Sequence, residues 1–268
     1  MPRISGVIAG IAAFARLTPL RMPGTERYIA VVASTELRPV PFVPEISLHM
    51  AENAYDVWEI TDHGTPENTE TPVPYWSFPW AGGQALARYV LDNPELVRGR
   101  RVLDVAAGSG LVAIAAALAG AAVSVANDID DFAAAAQDLN ARANNVVIKT
   151  LVADLLDRDG SGSSDSSGSS GGRRDADGIS GIDDSGDDLA EFDVVLAGDV
   201  CYERDFSARI LAFLRRAAAR GAVVLLADPG RTYVPTERIA EVATYDIPTT
   251  LALESSETKR TTIWRPVD

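Results

Sequence analysis

From Arg101 onward the chain alternates short apolar, β-branched runs with Ala-rich stretches that favour helix, and this alternation constrains the fold more than any other feature. Arg101 to Ala106, Ala122 to Ala126, Val146 to Val152, Phe192 to Ala197 and Ala222 to Ala227 read as strands. Leu111 to Ala119, Asp131 to Ala143, Phe206 to Ala219 and Thr236 to Ala243 read as helices, with Asp130 or Asp131 capping the second. Tyr245 to Leu253 and Thr258 to Arg265 look like two further strands. Only the polar Glu254 to Glu257 separates them, so they should pair antiparallel. Continuously apolar strands separated by helices imply an α/β fold with a doubly wound, mostly parallel sheet covered on both faces.

Three stretches fall outside this pattern. Residues 1–25 form a leader in which Arg3 precedes an apolar run, Ile4 to Ala15, expected to be disordered or partly helical; the run has features of a weak signal-peptide core, and Met22 also opens a plausible chain. Residues 26–75 are rich in proline (Pro39, Pro41, Pro44, Pro66, Pro72, Pro74) and read as an irregular arm or lid, with helix expected only around Glu45 to Trp58. Asp159 to Asp188 contains 8 Gly, 9 Ser and 8 Asp and has almost nothing to bury, so it should be a disordered insertion in the 76–268 domain.

Charge narrows the partners. The net charge is −14, and the insertion, with 8 Asp against Arg173 and Arg174, carries −6 of it. The remaining −8 still lacks the basic face that nucleic acid or an anionic membrane requires. Cys201 is the single cysteine, which excludes an internal disulfide and fits a reducing, cytoplasmic compartment. With only His49 and His63 as imidazoles, no metal site is expected, and both histidines read as surface or satisfied residues. No run reaches the roughly 20 apolar residues of a membrane span.

In a doubly wound sheet, ligands sit outside the carboxyl ends of the strands. There the first strand runs into Asp104-Val105-Ala106-Ala107-Gly108-Ser109-Gly110, a turn whose glycines allow close backbone approach before a helix N-terminus. The next strand ends at Asp128, 20 residues beyond Gly108, where an acid can take both hydroxyls of a ribose. Two more strands end at Asp154 and Asp199, so four carboxylates line one edge. Gly108 to Ala113 also satisfies the relaxed dinucleotide pattern. Asp104 separates the two cofactors: a carboxylate there crowds a pyrophosphate but suits an amino-acid head group, as in S-adenosylmethionine.

These residues are similar to the motifs of class I, seven-stranded S-adenosylmethionine-dependent methyltransferases. Within that class, Pro74 to Tyr89, Leu196 to Glu203 and Asp228-Pro229-Gly230-Arg231 resemble the protein-lysine methyltransferases that include the electron transfer flavoprotein beta-subunit lysine methyltransferase and its bacterial relatives. The resemblance covers roughly residues 36–158 and 190–265. It implies a Rossmann-like, seven-stranded sheet with an antiparallel C-terminal strand. It also implies Trp80 against the cofactor, Ala106, Gly108 and Gly110 wrapping the methionine part, Asp128 on the ribose, Asp154 near the adenine amino group and Gly198 beside it. Ala106 departs from the glycine common in the class, which implies a slightly shifted cofactor contact. Asp199-x-x-Tyr202 is the signature of the branch.

Methyl transfer moves positive charge from sulfur to the acceptor nitrogen, so a carboxylate beside the amine stabilises the transition state more than the ground state. That makes Asp199 the catalytic candidate, with Tyr202 orienting the amine or closing over the cofactor. Asp104 and Asp128 are then binding residues. Cys201 should pack inward, Arg231 should touch substrate or anchor its loop, and Trp76, Phe78 and Trp80 should form an exposed rim. The expected acceptor is a lysine of the electron transfer flavoprotein beta subunit or a similar protein, and the enzyme is expected to be a monomer. Alternatives are a nicotinamide-like small molecule as acceptor, a non-catalytic cofactor- or partner-binding protein, and a dinucleotide oxidoreductase.

Overall fold

The apolar runs form the centre of a seven-stranded sheet in the computed structural model, which describes residues 25–52, 57, 74–156, 191–254 and 256–267. The strands of this sheet are β3 (Arg101–Val105), β4 (Val123–Asp128), β5 (Lys149–Val152), β6 (Val194–Gly198), β7 (Val223–Asp228), β8 (Ile239–Pro248) and β9 (Thr258–Pro266), in the order β5-β4-β3-β6-β7-β9-β8. The first five are mutually parallel, and β9 runs antiparallel to both β7 and β8. The order reverses between β3 and β6, which opens a crevice at their carboxyl ends.

Period-two alternation divides the strand residues between two cores. Val102, Val194, Leu196 and Leu225 face α2 (Ala81–Asp92) and α3 (Leu111–Leu118). Leu103, Val195, Ala197 and Leu226 face α5 (Arg204–Ala219), where Ile210, Phe213 and Leu214 meet them. Each such fully buried side chain stabilises the fold by about 1.5–3 kcal/mol, so both faces must be covered. α4 (Asp131–Ala143) begins at Asp130, whose carboxylate accepts the N–H of Phe132 at 2.8 Å.

Three expectations are corrected. Thr236 to Ala243 does not form a helix: Arg238 has φ +56°, and from Ile239 the chain pairs with β9 through nine registered residue pairs. Nine ladder partners outweigh a helix propensity of a few tenths of a kcal/mol per residue. The last strands are therefore Ile239–Pro248 and Thr258–Pro266, and Leu251–Glu254 is a single helical turn, α6. The arm is regular where it is described. It holds helix α1 (Thr25–Ser34) and a hairpin of β1 (Glu36–Val40) and β2 (Val43–Met50), so Glu45 to Met50 is strand, not helix. Ile46, Leu48 and Met50 alternate inward onto the α2–α3 core, a burial that a helix would not give at that spacing. Trp76 and Phe78 are not an exposed rim. They are 2% and 8% exposed and pack with Val31, Ala51 and the alanines of α4. The leader up to residue 24, His63 and the 159–188 insertion lie outside the described residues.

Candidate active site

The carboxyl ends of β3, β4, β6 and β7 open into a cleft of about 820 Å³, and the segment Tyr75 to Trp80 lies along its mouth. Asp104, Ala106, Gly108, Asp128, Asp154, Gly198, Asp199 and Tyr202 all line it, as does Trp80. Gly110 sits behind the turn as the N-cap of α3, with φ +79°.

On the β3–β4 side, backbone N–H groups hold the acids. Asp128 accepts Gly108 N at 2.8 Å on one oxygen, and Ile129 N and Asp130 N at 2.8 and 3.1 Å on the other. The residue expected on a ribose therefore also fastens the glycine turn. Asp104 is 2% exposed and accepts Ala113 N at 3.0 Å. Burial pushes its carboxyl up to about 8, opposed by that hydrogen bond. Two residues that sequence reasoning missed tie the turn to α4: Gln137 Nε2 donates to Gly108 O at 3.1 Å and Asn140 Nδ2 donates to Ser109 O at 2.9 Å. Their signal was present as polar residues three apart on the Ala-rich face of a helix. Ala106 has φ +53°, a left-handed conformation that costs an alanine more than it would a glycine.

On the β6–β7 side, the Arg231 guanidinium joins backbone N–H groups in holding the acids. Asp199 is 7% exposed with φ +59°, and one of its oxygens accepts Gly82 N at the start of α2. Its other oxygen meets Arg231 Nη2 at 2.6 Å and Nε at 2.8 Å. Arg231 also pairs with Glu254 at 2.9 Å, and its guanidinium lies 5.6 Å over the Trp80 ring. Glu254, in what read as a polar linker, is thus part of the site. Burial raises the Asp199 carboxyl to about 6, with Arg231 opposing. Asp228 accepts Gly230 N and Arg231 N at 2.8 and 2.6 Å, and its other oxygen is buried without a partner among the described residues.

This arrangement depends on two glycines. A Cβ on Gly82 would lie 2.6 Å from Ala227 O and 2.7 Å from Asp199 N, and one on Gly198 would lie 2.9 Å from Gly83 N. Only bare backbone lets α2 approach the ends of β6 and β7 this closely.

The remaining residues separate by role. Asp154 is half-exposed, paired with Arg209 at 2.8 Å and accepting Leu156 N at 2.9 Å. Tyr202 is half-exposed, and burial, then its neighbours Tyr75, Asp128 and Glu203, push its hydroxyl up to about 12. Cys201 packs fully inward, and burial raises its thiol to about 12, so it is no nucleophile. His49 is half-buried and hydrogen-bonded to Thr35 Oγ1 at 3.2 Å, a satisfied residue. Among the described residues, no cluster of three or more His, Cys, Asp or Glu is placed to hold a metal. No described helix is long and apolar enough to cross a membrane.

The donor set fits a cationic cofactor. No lysine or arginine pairs with Asp104, Asp128 or Asp130 among the described residues, so three carboxyl groups that burial makes harder to ionise face the cleft without a cation. An ammonium and a sulfonium supply that missing charge. The strand order, the Asp104 to Gly110 turn and this row of acids define a class I S-adenosylmethionine-dependent methyltransferase. The family model for ribosomal protein L11 methyltransferase matches residues 85–165. The electron transfer flavoprotein beta subunit lysine methyltransferase of Danio rerio is 33% identical over 227 residues, covering 83% of this chain and 76% of the relative. Its Xenopus laevis counterpart is 30% identical over 251 residues, covering 92% and 89%. A magnesium protoporphyrin IX methyltransferase from Synechocystis, solved with bound S-adenosylhomocysteine, is 15% identical over 69% of this chain and 81% of that one, with a TM-score of 0.43. The chain belongs to the electron transfer flavoprotein beta subunit lysine methyltransferase family. It is an enzyme that uses S-adenosylmethionine, and its family methylates protein lysines.

Proposed function

We propose that this enzyme methylates a lysine of the electron transfer flavoprotein beta subunit or a similar protein, acting as a monomer in the cytoplasm, without nucleic acid. The observation that carries the reading is the charge balance at the β6–β7 side of the cleft. Asp199 and Glu254 share the guanidinium of Arg231, Asp228 holds the Arg231 backbone N–H and feels the guanidinium's charge, and Lys259 reaches Glu254 at 3.9 Å. Three carboxylates thus face two cations, Arg231 and Lys259, and the deficit of one suits a lysine ammonium.

S-adenosylmethionine supplies an activated methyl group. In this reading Asp104 balances its head-group charge, Ala106, Gly108 and Gly110 wrap the methionine part, and Asp128 takes the ribose hydroxyls with its remaining lone pairs. Trp80 packs against it, while Asp154 and Gly198 border the adenine. The acceptor must present a lone pair, and holding a free lysine neutral at pH 7 costs about 4.6 kcal/mol. Asp199, with its carboxyl near 6, is ionised at pH 7 and stabilises positive charge as it develops on the acceptor nitrogen. Tyr202, with its hydroxyl near 12, keeps its proton and serves as a hydrogen-bond donor or an apolar wall, not as a base. Net charge and the buried free thiol support the absence of nucleic acid and a reducing compartment.

The test is incubation of the purified protein with methyl-labelled S-adenosylmethionine and either purified electron transfer flavoprotein beta subunit or nicotinamide, followed by mass spectrometry. Label on a lysine of the protein is expected. Label in nicotinamide alone would reject the protein acceptor.

A further inference from the structure

Five aromatic rings run across the mouth of the cleft. Phe206 and Tyr202 lie 5.4 Å apart on the β6–α5 side, and Tyr75, Trp80 and Phe78 follow at 5.8 and 6.0 Å on the side preceding α2. Tyr75 and Tyr202, 5.4 Å apart and tilted by 41°, make the ring contact that joins the two sides. All five rings line the cleft. Most of this segment is fixed from within: Trp76 is buried, Trp80 Nε1 donates to Tyr75 O at 2.7 Å, and the backbone of Tyr75 and Trp76 passes within 4.0 Å of where a Cβ on Gly108 would lie. The Tyr75 ring is the exception. It is 43% exposed, matching Tyr202 at 44%, and Ile129 on the same lining is 72% exposed. Half-covered tyrosines and a bare isoleucine at the mouth of an acidic cleft leave apolar surface that the fold itself does not cover.

A lysine side chain suits this surface. Its four methylenes need apolar walls, and its cationic end is drawn both to aromatic faces and to the carboxylates beyond them. We propose that Tyr75 is a specificity-determining residue of the acceptor site, forming with Tyr202 the two walls that take the aliphatic stem of the target lysine. This rests on the protein-lysine reading above. In the structure the two rings touch, so the stem enters by parting them; the Trp80 hydrogen bond fixes the Tyr75 backbone, whereas its half-exposed ring makes only tilted ring contacts and is free to turn. The role asks for a ring and not for a hydroxyl.

The experiment compares wild type, Tyr75→Phe and Tyr75→Ala, using purified electron transfer flavoprotein beta subunit as acceptor and calorimetry with S-adenosylhomocysteine. Loss of one aromatic wall should raise KM for the protein acceptor about tenfold in Tyr75→Ala, while Tyr75→Phe stays within about twofold of wild type. Affinity for S-adenosylhomocysteine should be unchanged in both. Two results overturn the proposal while leaving the lysine reading intact: an acceptor KM indifferent to Tyr75→Ala, or a cofactor affinity that weakens in step with KM, which would assign Tyr75 to support of Trp80. A wild-type enzyme that binds S-adenosylhomocysteine yet methylates no lysine of the acceptor overturns both.

Discussion

The two sides of the cleft hold their carboxylates by different means. On the β3–β4 side, Asp104 and Asp128 are fixed by N–H groups of the turn and helix that directly follow their strands, with partners from 1 to 20 residues away. On the β6–β7 side, Asp199 is fixed by Gly82, 117 residues earlier, and Arg231, 32 residues later, with Glu254 a further 23 beyond that. A site held by local backbone is set once the strand and turn form. One held by a guanidinium shared between buried acids depends on several elements arriving together, and removing one charge exposes the others.

The largest effect expected from this contrast is at Asp199. Asp199→Asn keeps an oxygen for Gly82 N but loses the charge, so kcat should fall by about 10²–10³-fold while S-adenosylhomocysteine still binds. Single-turnover transfer assays read the first quantity and calorimetry the second; a near-wild-type rate would remove Asp199 from the chemistry. Next is Gly82→Ala, whose Cβ must displace Ala227 O or Asp199 N, each within 2.7 Å. Urea unfolding should show destabilisation of about 3 kcal/mol, the upper end for overpacking, whereas an unchanged midpoint would mean that α2 does not need this close approach.

A third, smaller effect belongs to the β3–β4 side. Asp104, raised to about 8 by burial, holds its proton at pH 7, and a cationic ligand favours its ionised form. Binding of S-adenosylmethionine should therefore release a proton, and affinity should rise with pH up to about 8, by at most about tenfold per unit, and then level off. For folding the sign is opposite. The unfolded chain ionises this acid near 4 and the folded one near 8, so stability of the free enzyme declines as pH rises between those values. Calorimetry in buffers of different ionisation enthalpy counts the proton, and none released would mean that Asp104 is already charged. The smallest change is Ala106→Gly, which relieves a left-handed φ of +53° and should stabilise the fold by about 0.5–1 kcal/mol in thermal melts. A loss of stability would show that the methyl group packs usefully.

The same contrast explains how much could be read beforehand. Asp131–Ala143 emerged with its cap because capping and amphipathic spacing are local, and Asp104, Gly108 and Asp128 were legible because each ends a strand or occupies the turn after it. Arg231 has two readings from the sequence because no spacing connects it to Asp199, and Glu254 reads there as a linker residue. The segment before β9 was misread because Thr236 to Ala243 has a helical pattern that only the nine pairs with β9 override.

By itself, then, the sequence determined the alternating α/β order, the row of acids at the strand ends and the glycine turn, all of which follow from backbone preferences within a few tens of residues. The tertiary structure decided which acids are paired, which are buried without a cation, and which rings meet across the mouth. Those depend on burial and on distances between segments far apart in the chain, and no local pattern encodes either.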